Sequence, residues 1–308
     1  MAVPTSLQLE GGMAPTIRRR WLSPRAVPYL FIAPAVVYLL GITFYPFIYA
    51  VRESLYETSV GMEFWAGFSN YTQLFSDASF WRSIVNTVII SGSALAVEFV
   101  LAMAIALAVY KDPWVRGWRM IFLAPMLFMP SAVSYIWKLL FFPGTSVIND
   151  ILLWLGLISG QLDWLGNTTL ARIMLVATDV WEWTPFLFVI FLAGLQATDS
   201  EIEEAAELDG ARWYQTFWFV TLPMMRPIIA IALVLRGIDL VTMFTQVEIM
   251  TKGGPGGRTE TVSYFIYRVA FKEFNQGYAA AASVVVLVIT IIIAMVVVRR
   301  VFRPREAS

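Results

Sequence analysis

Asp179, Glu182, Trp183 and Phe186 stand at the i, i+3, i+4, i+7 spacing that puts side chains on one helix face. Arg236, Asp239, Thr242, Met243 and Gln246 form a second stripe of the same period. Carboxylates and guanidinium groups bond hydroxyls in pairs, and indole or phenyl faces pack against the apolar faces of a pyranose ring. That chemistry is recognition of a polyhydroxylated solute. Ser131 and Ser134 follow Pro130 and are candidates for the same wall. The chain has neither Cys nor His. Disulfides, thiolate or imidazole metal sites, haem ligation by His, and Ser-His or Cys-His catalysis are thereby excluded. No GxxxxGK[ST] occurs, so no Walker A phosphate cradle is present. Gly253-Gly254-Pro255-Gly256-Gly257 lacks the lysine and reads as a turn.

The elements that must position these groups are membrane spans. Hydrophobic residues make up 58% of the 308 and mean hydropathy is +0.68, more than a soluble domain of this length can bury. The sequence predicts an all-α, polytopic membrane protein with six transmembrane helices. Spans are expected at Tyr29 to Val51, Ile84 to Tyr110, Met120 to Phe142, Thr169 to Gln196, Pro227 to Met250 and Gly277 to Val298. Each has about 20 residues or more, enough for about 30 Å of hydrocarbon. The six-helix domain is read as 29–300, between tails at 1–28 and 301–308. The apolar stretch Val147 to Leu157 is too short to cross and is assigned to the interface.

Thirteen Lys and Arg lie in the 1–28, 111–119, 197–226 and 299–308 segments, against six in the alternate loops. Both termini and the 197–226 loop are therefore expected in the cytoplasm. Net charge is zero, which implies no nucleic acid or other global electrostatic partner. Ionisable groups inside spans cost several kcal/mol each unless paired or wetted. Lys138 and Arg172 are near enough to span ends to snorkel, while Glu98 lies within the second span. For the two stripes the preferred reading is a water-filled cavity at midplane, with pairing across helices for assembly as the alternative. Pro125, Pro130 and Pro185 favour the cavity, since broken membrane helices occur where protein or cavity water satisfies freed carbonyls.

Between the fourth and fifth spans lies EAAELDGARWYQTFWFVTLP, Glu204 to Pro223. Ala205, Ala206 and Leu208 favour helix. Gly210 stands where a helix needs a left-handed C-terminal residue. A second short helix is expected from Ala211 to Phe219, stopped by Leu222-Pro223. Trp213, Phe217, Trp218 and Val220 form an apolar set too large to leave in water.

Glu204-Ala205-Ala206, Gly210 and Leu222-Pro223 resemble the EAA motif of ABC importer permeases, with Val220 where Ile is more usual. PYLFIAPAVVYLLGITFYPFIYAVRESL, VWEWTPFLFVIFLAGLQ and TKGGPGGRTETVSYFIYRVAFKEFNQGYAAAASV extend the resemblance over most of the chain. It points to the carbohydrate-uptake class, similar to the first maltose permease subunit. The resemblance implies a type I importer permease fold and import of a di- or oligosaccharide by alternating access. The partners it implies are a second permease, two ATP-binding subunits that hold ATP and Mg, and an extracytoplasmic solute-binding protein. This chain, embedded in membrane lipid, would bind no cofactor and catalyse no reaction. The coupling element would comprise Glu203, Glu204, Ala205, Ala206, Leu208, Asp209, Gly210, Leu222 and Pro223. Family sugar contacts match Asp179, Trp183, Phe186, Arg236, Asp239, Leu240 and Met243. The maltose pattern has Asn and Ser where this chain has Asp179, Arg236, Leu240 and Met243, so the sugar is expected to be held differently. Import of glycerol phosphate and proton-coupled secondary transport are the rival functions.

Overall fold

Small residues on one helix and aromatic rings on another decide the main packing. The computed structural model describes residues 27–59, 62–198 and 200–301. The N-tail with its four arginines, Asp199 and the tail from 302 onward lie outside them. The described residues fall into two units, one up to Tyr49 and one from Ala50 onward. The first helix, α1 (Val27–Glu53), contains Pro34 and Pro46 without ending at either.

The loop after it holds, among the described residues, the one feature outside the all-α expectation. A hairpin pairs β1 (Tyr56–Ser59) with β2 (Met62–Trp65), antiparallel, and α2 (Ser69–Ser76) follows. Asn70 Nδ2 donates to the carbonyls of Ser54 and Tyr56 at 2.9 Å each. The hairpin is thus held by a side chain that sequence periodicity does not reveal.

α3 (Ala78–Val109) starts on Asp77, whose carboxylate accepts from the Ser79 amide. The expected third span is in fact broken: α4 (Val115–Leu123), a 3₁₀ turn at Pro125–Leu127, then α5 (Pro130–Leu140). Pro130 occupies the first turn of α5, where its missing N–H costs nothing. Met129 before it is extended, ψ 129°, because proline disfavours helical geometry in the preceding residue. α6 (Val147–Trp154) is capped by Ser146 Oγ. α7 (Thr168–Ala197) runs unbroken through Pro185. α8 (Ser200–Leu208) then leads to α9 (Trp213–Thr216).

The second helix of the loop does not stop at Leu222-Pro223. A π turn at Phe217–Thr221 joins α9 to α10 (Leu222–Val241), so helix runs from Trp213 to Val241. The Leu222 amide reaches Phe217 O, a wider closure that admits Pro223 in the next turn. The chain leaves helix at Thr242, earlier than the expected Met250, and re-forms a π turn at Val247–Thr251. α11 (Val262–Tyr267) and α12 (Gln276–Val301) complete the described chain.

Five of these helical runs are long and apolar enough to cross a membrane; the broken α4–α5 segment is the sixth apolar stretch. α3 and α7 pack along each other. Ala102 and Ala106 of α3 admit Phe188 and Phe191 of α7, all fully buried, the small-against-large pattern of membrane helix interfaces. Gly194 lets α10 approach α7: a Cβ there would meet Ile228 and Met225 at 3.1 Å.

Candidate functional site

Arg236 of α10 is the largest fully buried side chain, 1% exposed. Its Nε and Nη2 donate to the two oxygens of Glu98 on α3, at 2.8 Å each. Nη2 also meets Asp179 Oδ2 of α7 at 2.5 Å, and Nη1 donates to Asp239 one turn along α10. Gln246 Nε2 donates to Asp179 Oδ1 at 3.2 Å and to Glu182 Oε2 at 3.4 Å. The guanidinium carbon lies 4.9 Å from the centre of the Trp183 ring, within cation–π range. Glu98, Asp179 and Glu182 are all buried, whereas the Asp239 side chain is 51% exposed.

The two stripes therefore meet, and they do so by pairing. A buried guanidinium requires carboxylate partners, since an unpaired charge at this depth costs several kcal/mol. A polar cavity of about 130 Å³ remains beside the pairs, walled by Pro130, Asp179, Trp183, Arg236, Asp239 and Thr242 among others. Pairing and cavity occur in the same place. Met243 also borders the cavity, and the Thr242 hydroxyl donates to the Asp239 carbonyl at 2.7 Å.

Phe186 and Glu182 stand behind this wall. Phe186 meets Trp183 edge-on at 6.5 Å and joins the α3–α7 core. Ser131 and Ser134 do not line the cavity; the buried Ser134 hydroxyl donates to Pro130 O at 2.7 Å. Lys138 and Arg172 both find protein partners. Lys138 Nζ donates to Ile249 O at 2.7 Å. Arg172 donates to Asn86 Oδ1 at 2.7 Å and to Arg258 O at 3.1 Å. Glu98 is the residue that sequence reasoning left without a partner; its one signal was a charge within an apolar span.

The EAA stretch is shaped by its helix end. The Gly210 amide donates to Glu207 O and the Ala211 amide to Ala206 O, both at 3.0 Å. These are the paired bonds of a Schellman cap, and they need the left-handed residue between them: Gly210 has φ +82°. Glu204, Ala205, Leu208 and Asp209 face outward, Leu208 with 90% of its surface exposed. Ala206 is half-buried. Leu222 and Pro223 lie in the first turn of α10, partly covered. Glu203 departs from its grouping with the outward residues. It is 6% exposed and turned into the chain, where Thr221 Oγ1 donates to it at 2.8 Å. Lys111 Nζ pairs with its other oxygen at 3.4 Å, and Tyr110 OH donates there at 3.5 Å. Tyr110 first, then Glu203, raise the Lys111 pKa against the opposing pull of burial. Trp213, Trp218 and Phe219 remain exposed on this chain. As part of a helix continuous with a span, they sit where aromatic side chains border a membrane surface.

Residues 98–307 match the family described as binding-protein-dependent transport system inner membrane component. The chain is 34% identical over 253 residues to the trehalose/maltose transport system permease MalF of Thermococcus litoralis, covering 81% of this chain and 83% of that one. It is 30% identical to the lactose transport system permease LacF of Rhizobium radiobacter, covering 83% and 86%. Its fold is similar to a chain of a bacterial alginate ABC transporter crystallised with an alginate pentasaccharide-bound periplasmic protein. That likeness has TM-score 0.77 and 23% identity, over 95% of this chain and 98% of that one. With the EAA cap, the spans and these matches together, the chain belongs to the inner membrane components of binding-protein-dependent transport systems, the permeases of ABC transporters.

Proposed function

We propose that this chain is one of two permease subunits forming the translocation path of an ATP-driven importer for a di- or oligosaccharide. It sits in a bacterial or archaeal cytoplasmic membrane with both termini and the EAA loop inside. A solute-binding protein delivers the sugar from outside, and two separate subunits bind and hydrolyse ATP. The observation that carries this reading is α8: an amphipathic helix closed by a left-handed glycine, with Leu208 uncovered at its end. Leu208, with the exposed Ile202 of the same helix and the EAA pattern around them, is read as part of a docking face for another protein. The cavity beside Asp239, Trp183 and Thr242 supports the sugar half of the proposal. So do the trehalose, maltose and lactose systems for which its relatives are named.

The test is uptake of radiolabelled trehalose, maltose and lactose into proteoliposomes holding the complete complex, with ATP inside and no proton gradient. Uptake that needs ATP and survives an uncoupler is the expected result. Uptake that follows an imposed proton gradient and ignores ATP would select the proton-coupled alternative, in which a buried carboxylate such as Glu182 carries the proton.

A further inference from the structure

Within a helix whose other acids lie at its surface, Glu203 is turned inward. Burying a carboxylate is costly unless charged or hydroxyl donors meet it, and here both oxygens are met. One oxygen takes the Thr221 hydroxyl at 2.8 Å. The other takes Lys111 at 3.4 Å, with Tyr110 at 3.5 Å. These donors belong to two different helical runs. Tyr110 caps α3, the helix that carries Glu98; Thr221 closes the π turn that opens α10, the helix that carries Arg236. Glu98 and Arg236 are in turn joined by the double hydrogen bond beside the cavity.

We infer that Glu203 is a positioning residue that locks α8 to the loop-side ends of α3 and α10, so that displacement of α8 is transmitted to the Glu98–Arg236 pair and the cavity beside it. The inference rests on the proposed docking of α8 to an ATP-binding subunit. It assigns to Glu203 a role opposite in direction to that of Glu204 and Leu208. Those face out toward a partner, and Glu203 faces in toward the chain's own helices. A helix docked through its outer face alone could pivot on the Gly210 cap and leave α3 and α10 where they were. A second grip, on the inner face, converts the push into movement of both helices.

The chain has no Cys, so a single introduced thiol reports on the cavity. Thr242→Cys places one at an exposed cavity position. The rate at which a charged methanethiosulfonate reagent labels this chain is measured in the complete complex, with and without Mg·AMP-PNP. Nucleotide is expected to change that rate in the Thr242→Cys chain. Adding Glu203→Ala should abolish the nucleotide effect in complexes that elute intact on size exclusion. Glu203→Gln, which still accepts from Thr221, should keep part of it. Thr221→Val removes one bond at nearly constant shape and should reduce the effect. It decides the matter if the Ala variant does not assemble. A full nucleotide effect in intact Glu203→Ala, or in Thr221→Val, overturns the inference while leaving the transport reading in place. Absence of any nucleotide effect in the Thr242→Cys chain overturns the alternating-access reading, and this inference with it.

Discussion

Arg236 directs four of its five N–H groups at carboxylates on three helices. Removing one partner strands a buried charge. Glu98→Ala is therefore expected to destabilise the chain by about 3–5 kcal/mol, read as a lowered melting temperature in detergent. Glu98→Leu with Arg236→Met would strand the buried Asp179 in turn, so most of the loss should be recovered only when Asp179→Asn is added; an unchanged melting temperature in Glu98→Ala alone would show that the Glu98–Arg236 pair contributes nothing. Asp239 differs because half of its side chain is exposed. Asp239→Asn keeps the shape of the wall and should lower sugar uptake with little change in melting. Asp179→Asn, at 2% exposure and bonded to Arg236 and Gln246, should lower both. Equal effects of the two substitutions on melting would contradict this division. Sequence periodicity placed Asp179 and Glu182 on one face, and Arg236 and Asp239 on another. It reports on one helix at a time, however. That a third helix brings Glu98 to the same guanidinium was invisible, because nothing local records which spans are neighbours.

The Schellman cap at Gly210 is a property of an element, and it makes a sharp experiment. No atom lies within 4 Å of where a Cβ would stand, so the Cβ itself has room and the main cost is the left-handed backbone, roughly 1–2 kcal/mol. Gly210→Val should leave the complex assembled but abolish stimulation of ATP hydrolysis by sugar-loaded binding protein. Gly210→Asn, which tolerates that conformation, should retain much of it. Full stimulation in an intact Gly210→Val complex would remove α8 from the coupling pathway. This cap was legible because glycine at a helix end has one dominant cause. The course of the chain beyond it was less so. Leu222-Pro223 looked like a stop, yet the π turn before it absorbs the proline and helix continues to Val241. Pro125 and Pro130 look similar on paper but do break the helix. The hairpin at 56–65 depends on Asn70 reaching back to Ser54 and Tyr56, a contact no propensity encodes.

At the scale of the molecule, the distribution of Lys and Arg predicts which ends face which side. The absence of Cys lets each end carry its own reporter. Leu208→Cys, at a position 90% exposed, and Leu157→Cys, at one 68% exposed, are expected to react with a membrane-impermeant maleimide from opposite sides. Position 208 should label only in inverted vesicles stripped of the ATP-binding subunits, and position 157 in intact cells. The reverse pattern would invert the proposed orientation and put α8 out of reach of any cytoplasmic ATPase.

Along α3, Asn86, Glu98 and Tyr110 follow one another at intervals of twelve residues, about 18 Å each. Each is gripped by a different part of the chain: Asn86 by the carbonyls of Gly257 and Glu260, Glu98 by Arg236, Tyr110 by Glu203. Twelve residues at 3.6 per turn leave a remainder of about 120°, so the grips fall on three sides of the rod. A helix held on one side is free to roll about its own axis; one held on three sides is locked in torsion. The freedom left to α3 is to tilt or slide as a stiff strut, and the loop at Gly257–Glu260 must then travel with α8, about 36 Å along the helix and so roughly one bilayer core away.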